Sequence, residues 1–414
     1  MATVKPFKAI RPDAKYADKV ISLPYDVMNR KEAAEMAADN PYSFLHICRA
    51  EIDLPEQENA YDQSVYEKAR DNIAERLANG VFVQEDKPAL YIYRQIMDGR
   101  VQTGIVGCVA VDEYQNNTIK KHEFTRVEKE KDRINHFDVC DADTEPVFLT
   151  YRDDKRIRTI MEGYVANHEP EYDITSDDGI QHTLWVVDDP ELVKSLTGLF
   201  DEIPALYIAD GHHRSASACK VGLKRREEHP DYTGDEEFNF FMAVAFPDDQ
   251  LRVLDYNRLV KDLNGYTKES FLEELSKIFD ITDDGSADPH PSAKHECTMY
   301  LDKSWYTLRF KEGMIDESSP VTSLDVSALQ ERVLAPLLGI KDPRTDMRIA
   351  FVGGIKGSAE LQRRVDSGEM SVAFELYPVS VGEIMSVADA GMIMPPKSTW
   401  FEPKLGSGWF IHRI

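Results

Sequence analysis

The densest chemistry in this chain is the hexapeptide Asp210-Gly211-His212-His213-Arg214-Ser215. It follows a compact apolar run, 205–209, that reads as a strand, and it opens a helical pattern continuing to about residue 228. Gly211 permits a tight turn and close backbone approach. The first helical turn beyond it has unpaired N–H groups at the positive end of the helix dipole, which attract an anion. Arg214 adds a planar fork of donors suited to phosphate, and Ser215 or Ser217 adds hydroxyls. His212 and His213 can exchange protons near neutral pH. Asp210, at the carboxyl end of the strand, has the chemistry to orient a histidine or to ligate Mg²⁺. An acidic cap before an ordinary basic helix would share this composition, but four polar, reactive side chains on one turn exceed what capping requires.

Three further groups are candidates. Lys121-His122-Glu123-x-x-Arg126, followed by Asp132-Arg133, combines a His–Glu pair with acid–base capacity and three cations able to clamp a phosphate or carboxylate; a hydrated loop has the same composition. Lys397-Ser398-Thr399, with Lys404, places cations and hydroxyls in an irregular, Pro-flanked tail that either lines a site or packs as an arm. Pro24-Tyr25-Asp26 precedes the first helix, where Asp26 is either structural or faces a site. The Gly-rich stretch Gly353-Gly354-Ile355-Lys356-Gly357-Ser358 lacks P-loop spacing and reads better as a tight connection. No H-E-x-x-H, G-x-S-x-G or Walker motif is present.

The elements that must position these residues alternate between helix and strand. Asn29-x-x-Glu32 is a capping box opening a short helix, and 61–79 is a helix with Gly80 just past its end. Residues 43–48 read as β-like. Strands at 90–96 and 101–111 join at Asp98-Gly99, a hairpin signal. Residues 115–145 read as a solvated loop with a helical charge run at 128–131. Strands resume at 146–151 and 183–187. Segments 239–246 and 252–259 look like an antiparallel pair, and 268–279 like a helix. The turn-rich stretch 283–295 reads as a linker or long loop. Beyond it come a hairpin at 297–301 and 305–310, a helix at 326–338, strands at 349–352 and 371–377, and a helix capped by Ser380-x-x-Glu383. The pattern predicts an α+β fold with mixed, largely antiparallel sheets and flanking helices. Its expected division is a main portion, 1–282, and a C-terminal portion, 283–414, that packs back on the site.

The chain has 414 residues, 49 Lys and Arg against 74 Asp and Glu, and a formal net charge of −25. That sign repels phosphate backbones, so nucleic acid is not an expected partner, while a local cationic pocket still admits a small phosphorylated metabolite. Five scattered cysteines with no C-x-x-C pair read as reduced thiols. No leader-like segment or membrane-length apolar run is evident, so a cytoplasmic protein with no membrane partner is the expectation. Oligomeric state is left open.

Ordered blocks along the chain resemble the family called "domain of unknown function 1015". They are Pro6-Phe7-Lys8, Pro24-Tyr25-Asp26-Val27, Asn40-Pro41-Tyr42-Ser43-Phe44-Leu45, His122-Glu123-Phe124-Thr125-Arg126, Asp210-Gly211-His212-His213-Arg214 and the decapeptide from Pro395 to Lys404. This resemblance implies a role around phosphoserine in serine biosynthesis. Locally, the Asp-Gly-His-His-Arg turn is similar to the phosphate-binding motif of the ParB/sulfiredoxin superfamily, which includes free serine kinases. Carried over, Gly211, His212, His213 and Arg214 would bind the transferring phosphate, and Asp210 would support catalysis or Mg²⁺. The similarity also implies a nucleotide, ADP or ATP. The expected function is phosphoryl transfer on a small phosphorylated amino acid, most plainly phosphoserine, by a phosphatase, kinase or other phosphotransferase. His212 or His213 would be the general acid or nucleophile, and segments 121–126 and 397–399 would grip the substrate. The alternative is a non-catalytic nucleotide or metabolite sensor of serine metabolism.

Overall fold

Asp98 and Gly99 both take positive φ, 52° and 75°, so the chain reverses in two residues and pairs Leu90–Met97 with Arg100–Ala110. This hairpin lies within an eight-stranded sheet. Its order is Ile119–Lys120, Leu206–Asp210, Val147–Tyr151, Phe240–Pro247, Arg100–Ala110, Leu90–Met97, Gln181–Val187 and Tyr172–Thr175. Only two of these pairings are parallel, Leu206–Asp210 with Ile119–Lys120 and Phe240–Pro247 with Val147–Tyr151; the rest are antiparallel. The fold is α+β with mixed, largely antiparallel sheets and flanking helices, as the sequence predicts.

The computed structural model describes residues 2–283 and 290–414. The chain forms two compact units, Met1–Leu251 together with Pro403–Ile414, and Arg252–Glu402. The expected division fell after residue 282. Tyr256–Val260 instead lies between Ile349–Gly353 and Val372–Leu376 in the six-stranded sheet of the second unit, so 252–259 does not pair with 239–246. Residues 284–289 of the expected linker lie outside the described residues.

In the first unit, Val127–Cys140 and His212–Glu228 pack together, and Phe137, Ala218, Cys219 and Val221 join the core beneath the sheet. The expected solvated loop is therefore mostly helix. Its charged residues hid a buried stripe of Glu130, Asp132, Arg133, His136, Phe137 and Cys140, at spacings that fit a helical face. A second cluster gathers Arg30–Ala37, Leu45–Cys48 and Gln63–Ala78 around Phe44, Leu45, Ile73 and Phe82. Residues 45–48, expected as β-like, form a helical turn: Ser43 Oγ accepts the Leu45 N–H at 3.3 Å, and Leu45, Ile47 and Cys48 are all buried. The capping box at Asn29 and Glu32 is formed, as is the box at Ser380 and Glu383 in the second unit.

The second unit's predicted hairpin is formed by Glu296–Leu301 and Ser304–Phe310. Its expected helix at 326–338 is shorter, Asp325–Leu329 continuing into a wider turn over Gln330–Leu334. Gly353 lies against the Trp400 ring and Gly354 against Asp255, where a Cβ would collide. Close packing accounts for that Gly-rich turn as a connection. All five cysteines are unpaired and buried. Among the described residues no helix is long and apolar enough to cross a membrane.

Two glycines predict opposite outcomes. A Cβ on Gly104 would lie 2.8 Å from both the Ala245 carbonyl oxygen and the Phe246 ring, whereas one on Gly163, on the exposed side of the helix Lys155–Asn167, meets nothing within 4 Å. Gly104→Ala should lower stability by about 1–3 kcal/mol. Gly163→Ala should raise it by about 0.5–1 kcal/mol. Urea midpoints of the two variants check both signs.

Candidate functional site

The strand Leu206–Asp210 ends at Gly211, whose φ of 95° turns the chain directly into the 17-residue helix His212–Glu228. That helix has no capping side chain and no acidic residue in its first turn. Asp210 Oδ1 accepts the Gly211 N–H at 2.7 Å, and Oδ2 accepts Lys404 Nζ at 3.0 Å. Burial alone would raise this carboxyl, but Lys404 and Arg214 outweigh it and hold Asp210 well below the usual carboxylate range.

Lys404 is delivered by a C-terminal arm clamped to the sheet. Gln95 Nε2 donates to the Lys404 carbonyl at 2.7 Å, Tyr93 Oη accepts the Gly406 N–H at 3.2 Å, and Ser407 exchanges backbone bonds with Ser22. Ser407 Oγ then donates to Glu145 Oε1 at 2.7 Å, and that oxygen also accepts the Tyr25 N–H at 3.3 Å. Through these bonds, residues from opposite ends of the chain reach one place.

Both histidines of the turn accept backbone bonds at Nε2. The Arg126 N–H reaches His213 Nε2 at 3.0 Å, and the His122 N–H reaches His212 Nε2 at 3.4 Å. An accepting Nε2 is unprotonated, which assigns each ring as neutral with its proton on Nδ1. Burial lowers both, His212 strongly and with His122 adding to the effect, so neutrality at pH 7 is consistent. His122 packs edge-on to His212 with ring centres 4.5 Å apart, is 1 % exposed, and has no hydrogen-bond partner on either ring nitrogen. A neutral ring with Nε2 engaged and Nδ1 protonated offers an N–H donor. It has no free lone pair to serve as nucleophile, and no acidic proton for the general-acid role expected above.

Arg214 is not an exposed fork. It is 3 % exposed, folds back over Gly211, and donates from NH1 to the Pro146 carbonyl at 2.6 Å, leaving Nε without a partner. Burial opposes its charge, and Asp26, Glu145 and Asp210 more than compensate. Ser215 Oγ is spent on the Gly211 carbonyl at 3.1 Å, and Ser217 Oγ on the Glu130 carbonyl at 3.0 Å. Arg133 is likewise interior. It pairs with Asp132 at 2.8 Å, lies 3.8 Å from Glu145 and stacks 4.0 Å over the Tyr25 ring. Lys121 is directed to the Tyr114 carbonyl and ring. Glu123 is half-buried in the same loop as His122.

Asp26 is exposed, and its charge is felt by both His213 and Arg214. The structure thus gathers Tyr25, Asp26, His122, Arg126, Arg133 and the 210–215 turn. Lys397, Ser398 and Thr399 belong to the second unit. There Lys397 lies 5.4 Å over the Tyr256 ring and Ser398 Oγ donates to the Pro395 carbonyl at 2.6 Å. Glu145 and Ser407 were missed, and Lys404 was noted only as a tail cation. The one cue to Glu145 was an acidic residue immediately before Pro146 at the head of an apolar strand.

Among the described residues, no group of three or more His, Cys, Asp or Glu side chains is arranged to hold a metal ion. Asp210, the expected Mg²⁺ ligand, has both oxygens engaged by Gly211 and Lys404. The side chains present do not fit a protein-built Mg²⁺ centre.

The candidate site is a strand–turn–helix junction with an uncapped helix N-terminus at the carboxyl end of a strand in an α+β unit. The chain belongs to the family described as "Protein of unknown function (DUF1015)", which matches residues 4–327. No curated protein matches it. Among solved structures it is similar to a free serine kinase in complex with AMP (14 % identity, TM-score 0.36, covering 72 % of this chain and 86 % of that one). A conserved hypothetical protein from Pyrococcus furiosus is similar at 14 % identity and TM-score 0.36, covering 74 % and 95 %. C-terminally truncated SbnI from Staphylococcus aureus is similar at 13 % identity and TM-score 0.38, covering 72 % and 84 %. At these scores the likeness carries no functional inference, and the site is read from its own geometry.

Two outcomes follow from that geometry. Lys404→Met removes the cation bonded to Asp210, leaving only Arg214 to oppose its charge, and should cost about 1–3 kcal/mol. Adding Asp210→Asn should recover part of the loss, giving a positive coupling energy in a urea double-mutant cycle. Burial also holds His122 down to about 4, below the unfolded value of ~6.5. Its contribution to stability is therefore full above pH 6.5 and lost as pH falls toward 4. Any stability deficit of His122→Gln relative to the wild type should narrow between pH 7 and pH 5.

Proposed function

We propose that the turn at Gly211 binds the phosphoryl group of a small phosphorylated amino acid, O-phospho-L-serine foremost, and that the protein transfers this group between the serine oxygen and an acceptor. The observation that carries this reading is the uncapped, acid-free helix N-terminus set beside neutral His213 and exposed Asp26. Phosphoryl transfer requires mainly positioning and stabilisation of charge. The free N–H groups of the first turn and the His213 Nδ1–H supply donors to the phosphoryl oxygens. Arg214 acts from beneath the turn, as a fixed positive charge and a brace through Pro146. Asp26 is the acid–base group. In the direction that phosphorylates serine, it takes the hydroxyl proton as that oxygen bonds to the γ-phosphorus of ATP and the bond to the ADP oxygen breaks; in the other direction it returns the proton to the departing serine oxygen as ADP or water takes the phosphoryl group.

The choice of phosphoserine draws on the resemblance of the Asp210-Gly211-His212-His213-Arg214 turn to the phosphate motif of free serine kinases. The acceptor is water or a nucleotide, ADP being the one tested, and a Mg²⁺ ion would have to arrive with the nucleotide. One observation favours a sensor instead: both oxygens of Asp210 are engaged, so the most strongly ionised carboxylate of the turn is structural.

The test is turnover. Purified protein is incubated with phosphoserine alone, with phosphoserine and ADP, and with serine and ATP, each with Mg²⁺, while serine, phosphoserine and phosphate are measured. Asp26→Asn is expected to lower kcat by about 10²–10⁴-fold with only a modest fall in melting temperature, since Glu145 and Asp210 still oppose Arg214. No turnover in any combination, with phosphoserine still raising the melting temperature, replaces the enzyme with the sensor. Full activity in Asp26→Asn removes Asp26 from the chemistry.

A further inference from the structure

Most cations around the turn at Gly211 are already spent. Arg214 donates to the Pro146 carbonyl at 2.6 Å, Arg133 pairs with Asp132 at 2.8 Å, Lys404 pairs with Asp210 at 3.0 Å, and Lys121 donates to the Tyr114 carbonyl at 3.0 Å. Arg126 differs. Its side chain is exposed, and its guanidinium has no hydrogen bond or ion pair among the described residues, in a chain that carries 74 Asp and Glu.

The backbone of Arg126 is nonetheless pinned to the turn. Its N–H donates to His213 Nε2 at 3.0 Å, and the residue is the N-cap of Val127–Cys140, with extended φ and ψ of −93° and 130°. Three other charged groups act on His213 from the elements packed against it. Glu130 is bonded to Lys220 and, at 2.8 Å, to Thr125 Oγ1. Asp26 is exposed, and Lys129 is half-buried with its ammonium 5.8 Å from the Tyr61 ring centre. Asp26 and Arg126 form no ion pair with each other, although both act on this one imidazole. Of the accessible charges around His213, Asp26 and Lys129 offset one another and Arg126 is left over.

The two nitrogens of His213 separate what Arg126 can reach from what the turn already serves. Nε2 accepts the Arg126 N–H, so the donor offered to phosphoryl oxygens is Nδ1–H, which points away from Arg126. Arg126 therefore starts one ring's width from the phosphoryl group, where a second anionic group of the same small substrate would lie. A planar guanidinium matches a carboxylate through two parallel N–H···O bonds, which an ammonium cannot reproduce. We propose that Arg126 is a specificity-determining residue that grips the α-carboxylate of the substrate, so that the site selects phosphorylated amino acids over phosphorylated amines and inorganic phosphate. The grip rests on the phosphoryl-transfer reading for where the phosphoryl group lies.

Calorimetric titration of the full chain with O-phospho-L-serine, O-phosphoethanolamine and inorganic phosphate tests it, in the wild type, Arg126→Gln and Lys129→Gln. The wild type should bind phosphoserine about 10-fold more tightly than phosphoethanolamine, which lacks the carboxylate. Arg126→Gln keeps the backbone bond to His213 and breaks no side-chain contact, so it should fold as the wild type does. It should remove most of that margin by weakening phosphoserine alone. Lys129→Gln takes away a neighbouring charge but not the fork, and should keep the margin. An unchanged margin in Arg126→Gln, equal weakening of all three ligands in it, or a margin lost in Lys129→Gln overturns the carboxylate grip while the phosphate turn stands. Equal binding of phosphoserine and phosphoethanolamine by the wild type does the same. If the wild type binds none of the three, the phosphoryl reading falls and the grip falls with it.

Discussion

One carboxylate organises the first unit. Asp210 closes the strand-to-helix turn with one oxygen and fastens the C-terminal arm with the other. The first bond fixes Gly211 in a conformation few other residues adopt readily, and so fixes where the helix begins. The second brings Lys404 to the turn and draws Ser407 to Glu145, which in turn anchors the backbone of Tyr25. The position of Asp26 therefore depends on a contact between residues 194 apart in the chain. A helix end that cradles an anion must be held rigidly, because the worth of an N–H donor falls steeply with misalignment.

Around that turn, the protein buries charge that folding alone does not require. Asp132, Arg133, Glu145 and Arg214 are each at most 6 % exposed. Taking such groups out of water costs several kcal/mol apiece, and apolar residues of similar volume would often fold as well or better. They are tolerated because each is opposed: Arg133 by Asp132, and Arg214 by Asp26, Glu145 and Asp210. Such an arrangement sets a strong local field in a dry interior, where fixed charges act with less screening than at the surface. It is the expected signature of a site whose stability has been traded for preorganisation.

The sequence made the turn itself legible because every residue in it is local. A strand run, a glycine and a helical period meet within a few positions, and their physics does not depend on partners. Tyr25 and Asp26 were legible only as a polar pair before a helix, since nothing near them in the chain says what they face. Arg214, Ser215 and Arg133 share one difficulty. Donor chemistry is visible in sequence, but whether a donor points to a ligand or to a carbonyl such as Pro146 or Gly211 is set by tertiary packing. The helix Val127–Cys140 was missed because its buried stripe is itself charged, so hydropathy alone reads it as solvated. The strand expected at 252–259 has a different neighbour, since its partners Ile349–Gly353 and Val372–Leu376 lie far along the chain and pairing at that separation leaves no local trace.

The overall charge and the local chemistry are connected through tautomers. In a chain this acidic, an exposed cationic patch would be neutralised by nearby carboxylates, and at this turn Arg214 and Lys404 do face Asp26, Glu145 and Asp210. Histidines held neutral by burial, each with Nε2 occupied by a backbone N–H, escape that fate: they present donors without presenting charge. On the phosphoryl-transfer reading proposed above, the attraction of this turn for an anion would come from these dipoles and the peptide N–H groups of the helix end, because the two cations are outnumbered by the three carboxylates. On that reading dipoles, more than net charge, would hold the phosphoryl group, and dipole interactions fall off faster with distance than those between full charges. That property suits a site that must release what it binds.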